Sequence, residues 1–270
     1  MRLFSKHLSS VKHLLIAVAT AYAAVGQTGM VTSVSVGNYR SIVSPGSIVS
    51  AWGTGLATTT VVANNNPGAE EIILPRTLGN VQLSLVDSEK TTRMAGIYMV
   101  SPGQINYLLP EATAQGAATL TVMNGASRIT GPVFVSNIAP AIFTADGSGK
   151  GVPAAQILRV ASTGQATYET PFQTGSSTFM PAPISLANAG DKVYILLYGT
   201  GIRRRSLNPV IATIGGATVP VAFAGAQSQY PGLDQINIGP LPQSLAGKGS
   251  SELALMVDGV PANAVTISIR

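Results

Sequence analysis

The sequence predicts an all-β protein made of two similar halves, and three observations predict it. Only 10% of the 270 residues are charged and 46% are hydrophobic, while 29 Gly and 17 Pro punctuate runs of Val, Ile, Thr and Ser. Short strands joined by tight turns suit that mixture. Ser44-Pro45-Gly46 feeds the apolar run Ile48 to Trp52, which ends in Gly53-Thr54-Gly55-Leu56. Ala189-Gly190-Asp191 feeds Val193 to Tyr198, which ends in Gly199-Thr200-Gly201-Ile202. Two more signatures recur in the same order. Pro102-Gly103-Gln104-Ile105-Asn106 is answered by Pro231-Gly232-Leu233-Asp234-Gln235-Ile236-Asn237, and the hairpin at Asn124-Gly125 by one at Asp258-Gly259. Three ordered recurrences imply an internal duplication.

The N-terminal segment is set aside first. Arg2, Lys6 and Lys12 precede an apolar run from Leu14 to Val25 that contains Ala21-Tyr22-Ala23. A basic start, a short apolar stretch and a small-residue site predict a signal peptide over 1–26. The run is shorter than the ~20 residues of a membrane span, and with no Cys in the chain a lipoprotein anchor is excluded. The segment holds three of the 16 basic residues and none of the 11 acidic ones, so the remainder carries about +2. The formal +5 therefore does not point to nucleic acid. Both histidines, His7 and His13, fall in the segment. A mature chain without His or Cys excludes Ser-His-Asp and Cys-His catalysis and imidazole or thiolate metal sites. No disulfide is available either, so stability rests on burial and strand pairing.

Taken in order, 28–43 alternates and predicts a first strand, and Ile48 to Trp52 the next. Gly53-Thr54-Gly55 is a turn with positive φ or close backbone approach. A phosphate loop would need a helix after it, but Thr58-Thr59-Thr60-Val61-Val62 follows. Ala63 to Gly68 is a loop. Val81 to Val86, the turn Asp87-Ser88-Glu89-Lys90 and Thr91 to Val100 form a hairpin. Ser101-Pro102-Gly103 turns into a strand at Gln104 to Tyr107. Ala117 to Met123 and Ala126 to Ser136 form a hairpin about Asn124-Gly125. Ala139-Pro140 reads as the junction of the halves. Asp146-Gly147-Ser148-Gly149-Lys150-Gly151 is a flexible turn and not a P-loop, because Gly151 stands where Ser or Thr is required. Val152 to Val160 and Gln165 to Tyr168 make an extra hairpin about Thr163-Gly164, and Gln173 to Pro183 reads as an irregular surface loop. Val210 to Ile214 and Ala217 to Ala224 pair about Gly215-Gly216, and Ser251 to Val257 pairs with Val260 to Ile269. Each half, 27–139 and 140–270, has about a hundred residues and seven short strands, the size of an immunoglobulin-like sandwich.

These motifs, with Leu74-Pro75, Leu78-Gly79-Asn80-Val81 and Ala139-Pro140-Ala141-Ile142-Phe143, resemble the C-terminal domain family expanded in Solibacter and other Acidobacteria. The likeness spans about residues 30–270. It implies tandem immunoglobulin-like sandwiches of the IPT/TIG type in exported proteins. It implies no catalytic residue and no cofactor.

The expected function is that of an exported, non-enzymatic cell-surface or envelope protein, in the periplasm or outside the cell. Its partner would be a surface polysaccharide or an envelope protein, with no nucleic acid and no membrane span in the mature chain. Arg203-Arg204-Arg205 is the candidate ligand contact, since three guanidiniums on one loop suit phosphate or carboxylate groups. A solvated loop is the plainer reading of the same residues. Trp52 and the Gln-Ile-Asn pairs read as structural. A carbohydrate-binding module would need exposed aromatics: exposed Tyr107, Tyr168, Phe179 and Tyr230 would favour it, and burial of all four would weaken it. A polysaccharide hydrolase would need two carboxylates across a cleft, and Glu70-Glu71, Asp87, Glu89 and Asp258 do not supply a spaced pair by sequence. No metal site is expected, with Asn64-Asn65-Asn66 the faintest candidate for calcium.

Overall fold

This computed structural model describes residues 29–63, 72–174, 178–188 and 190–270. The expected signal segment with His7 and His13 lies outside them, as do Asn64 to Asn66 and Glu70-Glu71. The described chain is all-β, with a single 3-10 turn at Gln243–Leu245.

Two sheets are built from the first half. One runs β1 (Thr32–Ser35), β3 (Ile48–Trp52), β9 (Gln104–Leu108), β8 (Gly96–Val100), β4 (Val61–Val62). The other runs β2 (Ile42–Val43), β11 (Ser127–Val135), β10 (Gly116–Asn124), β6 (Val81–Val86), β5 (Thr77–Leu78), with β7 (Thr92–Met94) also on β6. The second half repeats the plan. One sheet runs β14 (Ala166–Glu169), β13 (Ala155–Val160), β18 (Lys192–Thr200), β22 (Asp234–Ile238), β21 (Val221–Ala226), with β12 (Ala141–Ile142) on β18. Its partner runs β17 (Pro183–Ile184), β25 (Val265–Ile269), β23 (Gly249–Val257), β19 (Ile211–Ile214), β20 (Ala217–Val219), with β24 (Val260–Pro261) on β23. Counting the seven main strands of either half, the first, second, fifth and fourth share one sheet and the third, sixth and seventh the other. That is the immunoglobulin-like order.

Alternation decides which faces meet. Val81, Leu83 and Leu85 of β6 point inward with Leu120 and Val122 of β10, while Gln82 points to solvent. Leu253, Leu255 and Val257 of β23 meet Ile195 and Leu197 of β18 in the second core. A third apolar cluster lies across the two sandwiches: Ile48, Tyr98, Phe143, Tyr198, Tyr230 and Leu233, with Leu108 against it. It explains why β3 is buried on both faces. Val49 and Ala51 enter the first core and Ile48 enters the seam.

Several strands are shorter than the sequence suggests, because the chain changes sheets. The 28–43 stretch splits into β1 and β2, on different sheets. The return from the Asp87 turn pairs with β6 only to Met94, passes the buried Ala95, and joins β9 on the opposite sheet as β8. The second half switches at the same place through Pro220, which has no N–H to continue the ladder. Gln173 to Pro183 is not an irregular loop. β15 (Phe172–Thr174) and β16 (Phe179–Pro181) form a two-stranded ribbon, held by an edge-on contact of Phe172 and Phe179 with ring centroids 5.3 Å apart.

Candidate functional site

The arginine loop leaves β18 through Gly199-Thr200-Gly201. The junction chain lies directly on this turn, with β12 pairing Ala141 to Thr200 and Ile142 to Gly199. A Cβ on Gly201 would sit 2.1 Å from the Ala139 carbonyl oxygen, and its φ is +78°; only glycine fits. The chain then turns so that Ile202 and Arg203 donate their backbone N–H groups to one Asp234 oxygen, at 2.7 and 3.1 Å.

All three guanidiniums bond within the molecule. Arg203 Nε donates to the other Asp234 oxygen at 2.8 Å, Nη2 to the Leu233 carbonyl at 2.9 Å and Nη1 to Glu111 at 3.3 Å. Arg204 reaches the Glu111 carbonyl and the Asn137 side chain, each at 3.1 Å. Arg205 turns the other way, donating through Nε to the Ala224 carbonyl at 2.8 Å and through Nη1 to those of Ser206 and Asn208. The first two therefore clasp the first sandwich to the second. The third closes on β21. Arg204 keeps an exposed side chain; Arg203 does not.

Asp234 is fully buried. Burial pushes its carboxyl up, against the opposing pull of Arg203 and the two backbone N–H groups. Asp87 is the first sandwich's buried acid. Burial raises it too, but N–H groups of Ala114, Thr91 and Glu89 and the Arg93 guanidinium outweigh that and hold it below the usual carboxylate value. The Ser206 hydroxyl and N–H hold Asp258 low.

The other candidates are spread through the fold. Trp52 is half-buried on the outer face of β3, and Tyr198, its counterpart, is buried in the seam. Gln104 and Asn106 are buried in a network with Ser50, whose hydroxyl donates to Asn106 at 2.5 Å, and Gln235 donates to Asn237 at 2.7 Å. Tyr107 and Tyr230 are buried, Tyr168 is half-buried, and Phe179 is 36% exposed in the ribbon. Glu169 and Asp191 share Arg159, as Glu111 and Asp234 share Arg203. Among the described residues no three His, Cys, Asp or Glu side chains gather at a metal-binding spacing.

Sequence reasoning missed the polar stitching of the seam. Thr200 accepts from the Ile48 N–H at 2.9 Å and donates to the Gly232 carbonyl at 2.7 Å. Tyr98 donates to the Pro231 carbonyl, and Tyr39 to that of Gly147 at 2.5 Å. It also missed a groove of about 420 Å³ beside β21, walled by Leu207, Ile211, Pro220, Val221 and Phe223. A second groove, of about 430 Å³, lies at the junction between Arg40, Ile42, Ile138, Pro140 and Val260.

No family model matches the chain, and no curated protein matches it. Among solved structures it is similar to domains 5–6 of the S-layer protein SbsC, at 15% identity and a TM-score of 0.28, over 90% of this chain and 96% of that one. A superposition that loose carries no functional argument.

Proposed function

We propose that the chain is an exported, non-enzymatic cell-surface or envelope protein that works as an adhesion or protein-interaction module. The observation that carries this reading is the seam. Two sandwiches share a third apolar cluster and are stitched by Thr200, Tyr98, Arg203 and Arg204, so packing and hydrogen bonds both join them. Rigid scaffolds presenting loops and edges suit recognition. The paired acids around Arg159 and Arg203 are held by those arginines and do not face each other across a cleft, which is poor support for a carboxylate hydrolase. With Tyr107 and Tyr230 buried, an aromatic sugar platform loses two of its four members.

Residues 27–270 should bind whole envelope fragments, or one member of a polysaccharide panel, saturably and without releasing sugar. Released reducing ends would replace the reading with a hydrolase. No saturable binding to any sample would remove it.

A further inference from the structure

The outer edge of β8 is covered by a strand, and that of its counterpart β21 pairs with none among the described residues. The two strands correspond residue for residue. Both step out of register at one position, between Ile97 and Met99 in β8 and between Val221 and Phe223 in β21. Met99 faces Asn106 and Phe223 faces Asn237, so Met99 and Val100 match Phe223 and Ala224. Along β8, β4 pairs Val61 with Val100 and Val62 with Met99. Ala63 N–H donates to the Tyr98 carbonyl, and Ile97 N–H to that of Pro75, each at 2.9 Å. Along β21 there is no such strand among the described residues. The connection that lays β4 down, residues 53–80, is replaced by the short arginine loop, 201–210, whose Arg205 covers only the Ala224 carbonyl.

Resting on the interaction-module reading above, we propose that β21 is a strand-addition site for a partner's extended, uncharged, β-branched segment, which pairs antiparallel with Phe223 and Ala224 as β4 pairs with Met99 and Val100. The chain's own covering segment defines the chemistry: Val61-Val62 is the paired strand, Thr58-Thr59-Thr60 leads into it, and Ala63 follows with its N–H on β8. Charge matches as well. Neither that segment nor Val221 to Ala226 carries a charged side chain, so the pairing buries no unpaired charge. The groove supplies apolar walls for alternate side chains, with Ile211 50% and Phe223 43% exposed. Arg205 is the guard: a charged side chain on an open edge restrains indiscriminate pairing, and an incoming strand displaces its Nε from Ala224.

The test is an NMR titration of residues 27–270 with the peptide Thr-Thr-Thr-Val-Val-Ala, on wild type, Phe223→Lys, Ile211→Glu and Arg205→Ala. Shifts confined to β21 and the groove walls are expected. Either added charge should weaken binding about tenfold or more, and Arg205→Ala should tighten it about two- to tenfold, the worth of one hydrogen bond. Phe223 and Ile211 are surface positions, so unchanged urea midpoints certify the fold of those variants. No shift at β21, or equal binding by both charged variants, overturns the proposal. So does a wild-type dimer, seen by light scattering, that Phe223→Lys dissolves, because a second copy then takes the edge. Envelope binding that survives Phe223→Lys sinks this site and leaves the interaction-module reading standing. Peptide binding without envelope binding does the reverse.

Discussion

The same four-residue pattern, Gly-Thr-Gly and an aliphatic, closes the second main strand of each sandwich, and the two copies do opposite things. In the first, Leu56 donates its N–H to the Pro102 carbonyl at 3.0 Å, Thr54 is exposed, and the chain runs on to lay β4 over β8. In the second, Ile202 donates to the Asp234 carboxylate, Thr200 is fully buried in the seam, and the chain reaches β19 through the arginine loop, 201–210, with no covering strand between. Leu56 and Ile202 both sit fully buried in their own cores, although β18 runs on through Gly199-Thr200 where β3 stops at Trp52. The edge cover comes from the longer connection, 53–80 against 201–210, and the seam contacts come from two extra residues. Leu233-Asp234 stands between Pro231-Gly232 and the second Gln-Ile-Asn, where the first copy has nothing. Leu233 fills the seam and Asp234 anchors Arg203. A duplicated turn thus supports a domain interface on one side and an edge cover on the other.

The largest effect should come from breaking the device that the first half lacks. Arg203→Ala strands the buried Asp234 carboxylate and should cost about 3–5 kcal/mol in urea unfolding. Arg204→Ala, which removes an exposed side chain from the same loop, should cost about 1 kcal/mol or less. Equal losses would mean that the clasp is not centred on Asp234. The matched threonines come next. Thr200→Val leaves the Ile48 N–H and the Gly232 carbonyl without their side-chain partner in the seam and should cost about 1–3 kcal/mol. Thr54→Val should stay within about 0.5 kcal/mol of wild type. Hydrogen exchange at Ile48 should rise in the first variant alone, and a matching rise in the second would erase the distinction between the two copies.

Much of this fold was legible because its turns are chemically explicit. Asp258 and Gly259 both have positive φ, +47° and +78°, the pair a two-residue hairpin loop needs. Gly215 and Gly216 repeat the pattern at +54° and +79°. The sheet switches at Ala95 and Pro220 were not legible as such, since period-two alternation continues whichever sheet the strand joins. The ribbon at β15 and β16 was hidden by Pro181 and Pro183, which read as loop although Phe172 and Phe179 hold the pair together. As for the site, Arg203-Arg204-Arg205 stood out as a cluster, but its partners lie 31 residues on at Asp234 and 92 residues back at Glu111. The inserted Leu233-Asp234 was the available signal for the first. Nothing in sequence pointed to Glu111.

The smallest effect separates the matched aromatics, and its sign follows from burial. Burial, helped by Tyr168, pushes the Tyr198 hydroxyl up to about 12, and burial raises Tyr98 and Tyr230 as well. An unfolded tyrosine ionises near 10. The folded state therefore favours the neutral hydroxyl, and the stability that comes with it is fully present below about pH 10 and is lost as pH rises towards 12. At pH 11 the Tyr198 share is about 1 kcal/mol. Tyr198→Phe should flatten that part of the fall in urea midpoint between pH 10 and 12, because phenylalanine cannot ionise. Trp52 occupies the same place in the first sandwich and carries no titrating group, so Trp52→Phe should leave the alkaline slope as it is. A wild-type midpoint that stays level to pH 12 would mean the seam opens to solvent around Tyr198. The two sandwiches would then be joined by the arginine clasp and not by the apolar cluster.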